Sequence, residues 1–261
     1  MMRLLVTVML ALLAGCGSDP KQGGAAAATK DTTGVTAEAV APSGDNQLTS
    51  DEKDNGWKLL FDGKSKDGWH SYMKRGNLVA WKVADGTLYL DSIADKNGHS
   101  VGEDPVTDGE YENFHLKIDW KISKEGNSGI MFGVKESKEF GNDYFTGPEM
   151  QVLDNKDAED AVNPKHRAGD LYDLIPARPE TVRPAGEWNN AEIYKNKDSL
   201  ILRLNGTSVV KTKLWDDNWK RLVAGSKFKQ WPSFGTYKSG HIALQDHGYH
   251  VWFKNIKIKT L

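Results

Sequence analysis

One cysteine in 261 residues, Cys16, excludes an internal disulfide framework. A dominant charge is also missing, because 34 basic residues stand against 36 acidic ones. The lysines are scattered along the chain, so it lacks the clustered basic footprint of a nucleic-acid binder. The apolar run Leu4 to Leu13 falls short of the about 20 residues that a membrane-spanning helix needs. Long helical periodicity is absent, which argues against a helix bundle. No Gly-rich phosphate loop, HExxH pattern or paired-cysteine spacing is present, so neither a nucleotide nor a preformed zinc motif is signalled.

The lone cysteine has a context. Met1-Met2-Arg3 gives a short positive start, the apolar run follows, and Leu13-Ala14-Gly15-Cys16 resembles the bacterial lipobox. That resemblance implies a signal peptide over residues 1–15, cleavage before Cys16 and acylation of its thiol. The alternative is an ordinary secretory signal. A lipidated Cys16 would anchor the protein to a membrane face without spanning it. The expected location is then the bacterial cell envelope, on the periplasmic or the outer-membrane face. Gly17 after the cysteine fits onward transport to an outer membrane. Residues 16–54, rich in Gly, Ala, Ser, Thr and Asp, read as a flexible tether.

From residue 55 onward short alternating runs appear between Gly and Asp turns. Phe114 to Ile122 is apolar at every even position and polar at every odd one, which predicts a strand with one buried face. Ser199–Leu204, Asn205-Gly206 and Thr207–Val210 form a hairpin pattern around a type I′ turn, and Val83 to Leu90 turns at Asp85-Gly86. Further strands are expected near 57–61, 128–134, 187–194, 240–245 and 249–259. One short helix fits Asp216 to Val223. The fold class is therefore all-β, a single β-sandwich of the jelly-roll kind over residues 55–261.

The polar strand Glu149-Met150-Gln151-Val152-Leu153-Asp154 stands out. Alternation puts Glu149 and Gln151 on one face and Met150 and Val152 on the other. The segment from Asn155 to Gly186 follows, with four prolines and almost no strand pattern. A loop that long in a compact domain is usually functional or mobile. It carries His166, Arg167 and Tyr172 and is placed to bring them back over the sheet.

Several blocks in order resemble the 3-keto-disaccharide hydrolase family. They are Leu60-Phe61-Asp62-Gly63 with Trp69, Gly126-Asn127-Ser128-Gly129-Ile130, Glu149 to Asp154, and His166 with Gly169-Asp170-Leu171-Tyr172. Gly186-Glu187-Trp188-Asn189 and His241 to Gly248 complete the set, with Trp252 to Ile258 behind them. The resemblance implies a concanavalin-like jelly roll acting on oxidised sugars. One departure is Met131-Phe132-Gly133-Val134, where many relatives carry an arginine shortly after the Asn-Ser-Gly-Ile block.

A keto group at sugar carbon 3 acidifies the proton on carbon 2. Its removal gives an enolate, the oxygen on carbon 1 can leave by elimination, and water addition completes a net hydrolysis. Such a route needs a base, an electrophile for the carbon 3 oxygen and an acid for the departing oxygen. Glu149 is the first candidate for base or metal ligand, against a surface carboxylate. His166 is acid, base or ligand, or simply a solvated loop histidine. Asp154 ligates or orients His166, or only turns the chain. Gln151, Gln245 and His247 suit substrate binding, Tyr172 an oxyanion or a loop anchor, and Arg167 a hydroxyl clamp or solvent.

Nine tryptophans give scope for a flat sugar platform, with Trp188, Trp231 and Trp69 as candidates and Trp120 as core. Glu149, Asp154, His166 and His247 leave room for a divalent metal, although their spacing does not specify one. The expected function is cleavage of glycosidic bonds in 3-keto-glycosides or related sugars, by elimination and hydration or by direct hydrolysis, with carbohydrate as ligand and no nucleic acid. The alternative is a non-catalytic carbohydrate-binding surface lipoprotein.

Overall fold

In a computed structural model the described residues are 44–74, 77–91 and 103–261. The expected signal peptide, Cys16 and tether residues 17–43 lie outside them. Thirteen strands, numbered along the chain, form two antiparallel sheets. The larger has eight strands in the order β11 (Thr207–Lys213), β10 (Ser199–Leu204), β9 (Asn189–Asn196), β6 (Phe114–Ile122), β13 (Val251–Thr260), β4 (Thr87–Leu90), β3 (Trp81–Ala84). β1 (Trp57–Leu59) pairs with the far end of β13. The smaller runs β2 (Trp69–Ser71), β5 (Pro105–Thr107), β12 (His241–Leu244), β7 (Asn127–Val134), β8 (Glu149–Leu153). This is the expected all-β sandwich.

β6 shows how the sequence builds the larger sheet. Its even residues Phe114, Leu116, Ile118, Trp120 and Ile122 are all buried, while His115, Lys117, Asp119 and Lys121 remain half-exposed. Both expected hairpins form, with Asp85-Gly86 and Asn205-Gly206 all at positive φ as a type I′ turn requires. The expected helix is Asp217–Ala224, capped by the Asp216 side chain on the Trp219 amide at 2.7 Å.

The smaller sheet is buried on both faces. Ile130, Phe132, Met150, Val152, Ile242 and Leu244 point into the main core against the larger sheet. Met131, Val134 and Ala243 belong to a second apolar cluster with Tyr72 and Val106. Every residue of β7, β8 and β12 is therefore buried. Alternation alone does not foresee this, because the cover on the outer face comes from loops.

Two expectations change. Residues 44–54 are not a loose tether: Thr49 caps the helix Ser50–Asp54 in a capping box, and Glu52 pairs with Lys257 of β13. Asn46 exchanges backbone-to-side-chain bonds with Asn255. Polar composition suggested disorder, yet hydrogen bonds rather than apolar burial hold this segment. The long loop is also fastened. Gly169 donates to the Gln151 carbonyl, Gln151 to that of Asp170, and Tyr172 to that of Glu149. Residues 169–172 thus cover the free edge of β8, where an open strand would invite pairing with another chain.

Candidate active site

The outer face of the smaller sheet opens into a cavity of about 380 Å³. β8 brings Glu149 and Gln151 to it, β7 brings Asn127, and the chain leaving β12 brings Gln245, Asp246 and His247. The loop fastened to β8 adds Tyr172. Asp104, Tyr144, Lys227, Phe228 and Trp231 close the remaining walls.

Glu149 sits where only a glycine permits it. A Cβ at Gly129 would stand 1.8 Å from Glu149 Oε1, so the carboxyl occupies the space that any side chain there would take. Gln151, with its amide nitrogen turned towards its acceptors, donates to that same oxygen at 3.0 Å and to the Ser128 carbonyl at 3.2 Å. Glu149 is 5% exposed. Burial pushes its pKa up to about 8, which the positive charge of Lys227 only partly offsets. At neutral pH Glu149 is therefore mainly the uncharged acid.

A second carboxyl pair lies beside it. Asp143 is wholly buried, and its side chain meets that of Asp104. Burial raises both, and the proximity of Asp143 raises Asp104 further. The Asp246 amide donates to Asp104 Oδ1.

Lys227 makes no ion pair among the described residues. Its ammonium lies 4.1 Å from the centre of the Tyr172 ring, a cation–π contact. The Tyr172 hydroxyl donates to Asp160 Oδ2 at 3.0 Å, and burial raises its pKa. Trp231 stacks on Phe145 with centroids 4.9 Å apart and meets Tyr144 edge-on at 5.3 Å, forming a flat apolar wall. Gln245 Oε1 is buried without a protein hydrogen-bond partner, which leaves an acceptor for a ligand hydroxyl.

Glu149, Gln151, Tyr172, Gln245, His247 and Trp231 therefore share one cavity. His166, Asp154, Arg167 and Trp188 do not line it. His166 bonds to Asp160 at 2.6 Å and Asp173 at 3.1 Å, packing behind the Tyr172 ring. Asp154 accepts from the amides of Glu125 and Lys156, the turn role that stood as its alternative. Arg167 pairs with Glu180 at 3.0 Å. Trp188 lies under Lys121 and Lys254 on the outer face of the larger sheet, and Trp69 is buried with its indole donating to the Leu60 carbonyl. Of the expected ligands, Glu149 and His247 line the cavity while Asp154 and His166 lie outside it. His166 is satisfied by neighbours in its own loop, and Asp154 by that loop and by the turn between β6 and β7.

Asp104, Tyr144, Lys227 and Phe228 carried no local signal. They reach the cavity from a loop and two 3-10 turns (Asp143–Phe145 and Lys227–Gln230), elements without a period to read.

The sequence profile of the 3-keto-alpha-glucoside-1,2-lyase-like domain matches residues 56–259. A 3-keto-disaccharide hydrolase of Bacteroides thetaiotaomicron is 37% identical, across 87% of this chain and 88% of that protein. The crystal structure of a candidate glycosyl hydrolase from Parabacteroides distasonis superposes with a TM-score of 0.76 at 32% identity, over 84% of this chain and 100% of that one. A second from the same organism gives 0.60 at 27% identity, over 79% and 100%.

Proposed function

Because this chain belongs to the 3-keto-alpha-glucoside-1,2-lyase-like family, we propose that it is an enzyme that cleaves the glycosidic bond of 3-keto-glycosides. The observation that carries the reading is Glu149, a carboxylic acid kept neutral by burial in a sugar-sized cavity with one aromatic wall. A base removes the proton on carbon 2, and the enolate charge collects on the carbon 3 oxygen. The electron pair expels the oxygen on carbon 1, and Glu149 gives that oxygen its proton. Water then adds to carbon 1 of the enone while a proton returns to carbon 2, so the net change is hydrolysis.

Each remaining group has a fitting task. Lys227, without an ion pair among the described residues, stabilises the enolate oxygen. His247, on the chain leaving β12 at the rim of the cavity, is the base. Trp231 and Phe228 take a sugar face, and Gln245 and Gln151 take hydroxyls. Upstream of the domain, Cys16 is the lipid anchor that holds the enzyme in the cell envelope. A Cys16→Ala variant would then appear in the soluble fraction.

The test is aglycone release by the purified protein from a 3-keto-glucoside and from the same glucoside unoxidised. Release from the keto sugar alone is expected. Equal release from both, or release from neither, overturns the proposal.

A further inference from the structure

At the other end of β12, about 13 Å along the strand from Gln245, two histidines face two glutamates. His241 begins β12 and His70 sits in the middle of β2. Each ring is fixed through Nδ1. His241 Nδ1 lies 2.6 Å from the Thr107 carbonyl, and His70 Nδ1 lies 2.6 Å from Asp108 Oδ1. A carbonyl oxygen only accepts, so Nδ1 of His241 carries the proton and its Nε2 is free to offer a lone pair.

That Nε2 stands 3.7 Å from Glu110 Oε1 and 3.8 Å from Glu136 Oε2. His70 Nε2 stands 3.0 Å from the same Glu136 oxygen. The far oxygens are already used: Glu136 Oε1 accepts the Met73 amide, and Glu110 Oε2 accepts Lys135 and the Ser239 hydroxyl. Among the described residues these two imidazole nitrogens and two carboxylate oxygens have only one another as ion-pair partners, with His241 and Glu136 at the centre of the group.

A proton fits the wider gaps poorly, because 3.7 Å and 3.8 Å exceed hydrogen-bond length. A metal fits them better. Donors about 2.0 Å from a tetrahedral ion are about 3.3 Å from one another, and the three observed separations bracket that edge. The contacts at Nδ1 are also those of metal-bound histidine, one to a carboxylate and one to a backbone carbonyl.

We propose that His70, His241, Glu136 and Glu110 bind one divalent transition metal, zinc foremost. Two carboxylates neutralise its charge, and the mixed imidazole and carboxylate set suits zinc. Among the described residues no three such side chains stand, as placed, close enough to hold an ion. The ion instead draws His241 inward and opens the direct His70–Glu136 contact. Its role is structural, since it clasps β2 and β12 to the segments that follow β5 and β7. It is independent of the reaction proposed for the cavity.

Zinc titration of the metal-stripped protein, read by calorimetry and native mass spectrometry, tests this. One zinc per chain is expected, with a rise in unfolding temperature. His70→Ala and His241→Ala should each weaken binding by at least 100-fold. Asp108→Asn, which touches only the ring's orientation, should weaken it by about 10–100-fold. His247→Ala should leave it unchanged. Absence of stoichiometric zinc, or equal affinity in the double variant His70→Ala/His241→Ala, overturns the proposal. Should these variants not fold, cobalt added to the unmodified protein must give the intense absorption of a tetrahedral site, and its absence overturns it equally.

Discussion

Glu192 and Glu149 both project from the outer face of a sheet, yet their surroundings drive them in opposite directions. On the larger sheet Glu192 meets His115 at 2.6 Å and Arg203 at 3.4 Å, and the His115 hydrogen bond leads the causes that lower its pKa. On the smaller sheet Glu149 is buried beside an amide, with only Lys227 as an opposing cation, and its pKa rises to about 8. Residue type is the same, and both side chains stand on an outer sheet face. What separates a structural carboxylate from a reactive one is whether burial comes with a paired charge.

The strongest way to break that comparison is to fill the space that holds Glu149. Gly129→Ala puts a methyl 1.8 Å from Oε1, so the carboxyl must leave its seat. Aglycone release from a 3-keto-glucoside should fall by at least about 100-fold, the scale of a lost general acid, while circular dichroism stays that of a β protein. Retained activity would show that the seat does not matter.

The stability of Glu149 itself comes next. Its folded pKa lies above the ordinary 4.5, so the native state keeps a proton that the unfolded chain has released between pH 4.5 and about 8. Stability contributed by that proton is full below 4.5 and lost as pH rises through 8. At about 1.4 kcal/mol per pKa unit the loss reaches several kcal/mol. Glu149→Gln should remove it, so denaturant midpoints of the variant and the parent converge in acid and separate in alkali. Asp143, raised to about 6, loses its own share at lower pH, between 3.8 and about 6.

Smaller effects sharpen the contrast. Trp231→Ala removes the apolar wall and should raise KM by roughly 10-fold with less change in kcat, given about 1–3 kcal/mol for a lost stacking partner. Glu192→Gln should cost about 1 kcal/mol of stability and leave glycoside cleavage unchanged. A large loss of activity from Glu192→Gln would erase the distinction between the two faces.

Much of the fold was legible because a single pattern carries it. Phe114 to Ile122 alternates without a break, and Asn205-Gly206 admits few other turns. β2 and β5 were missed, since three residues show little period and, unlike the equally short β1, these do not lie in a longer apolar-alternating run. The candidate site was legible where it lies on strands: Glu149 and Gln151 announce themselves as polar residues on a buried strand. His166 was misleading for the same reason that Lys227 was invisible. Loop residues take their direction from local hydrogen bonds, and Asp160 and Asp173 hold the His166 ring away from the cavity while Lys227 arrives from a distant turn. Trp188 failed on its face, since it belongs to the larger sheet's outer surface.

The most direct test of the central claim compares Glu149→Gln with the unmodified protein on two 3-keto-glucosides, one releasing methanol and one releasing 4-nitrophenol. If the buried neutral acid protonates the departing oxygen, the variant loses about 100-fold or more on the methyl glycoside and little on the nitrophenyl glycoside, whose aglycone leaves without a proton. Equal loss on both substrates, or none on either, would contradict that role for Glu149.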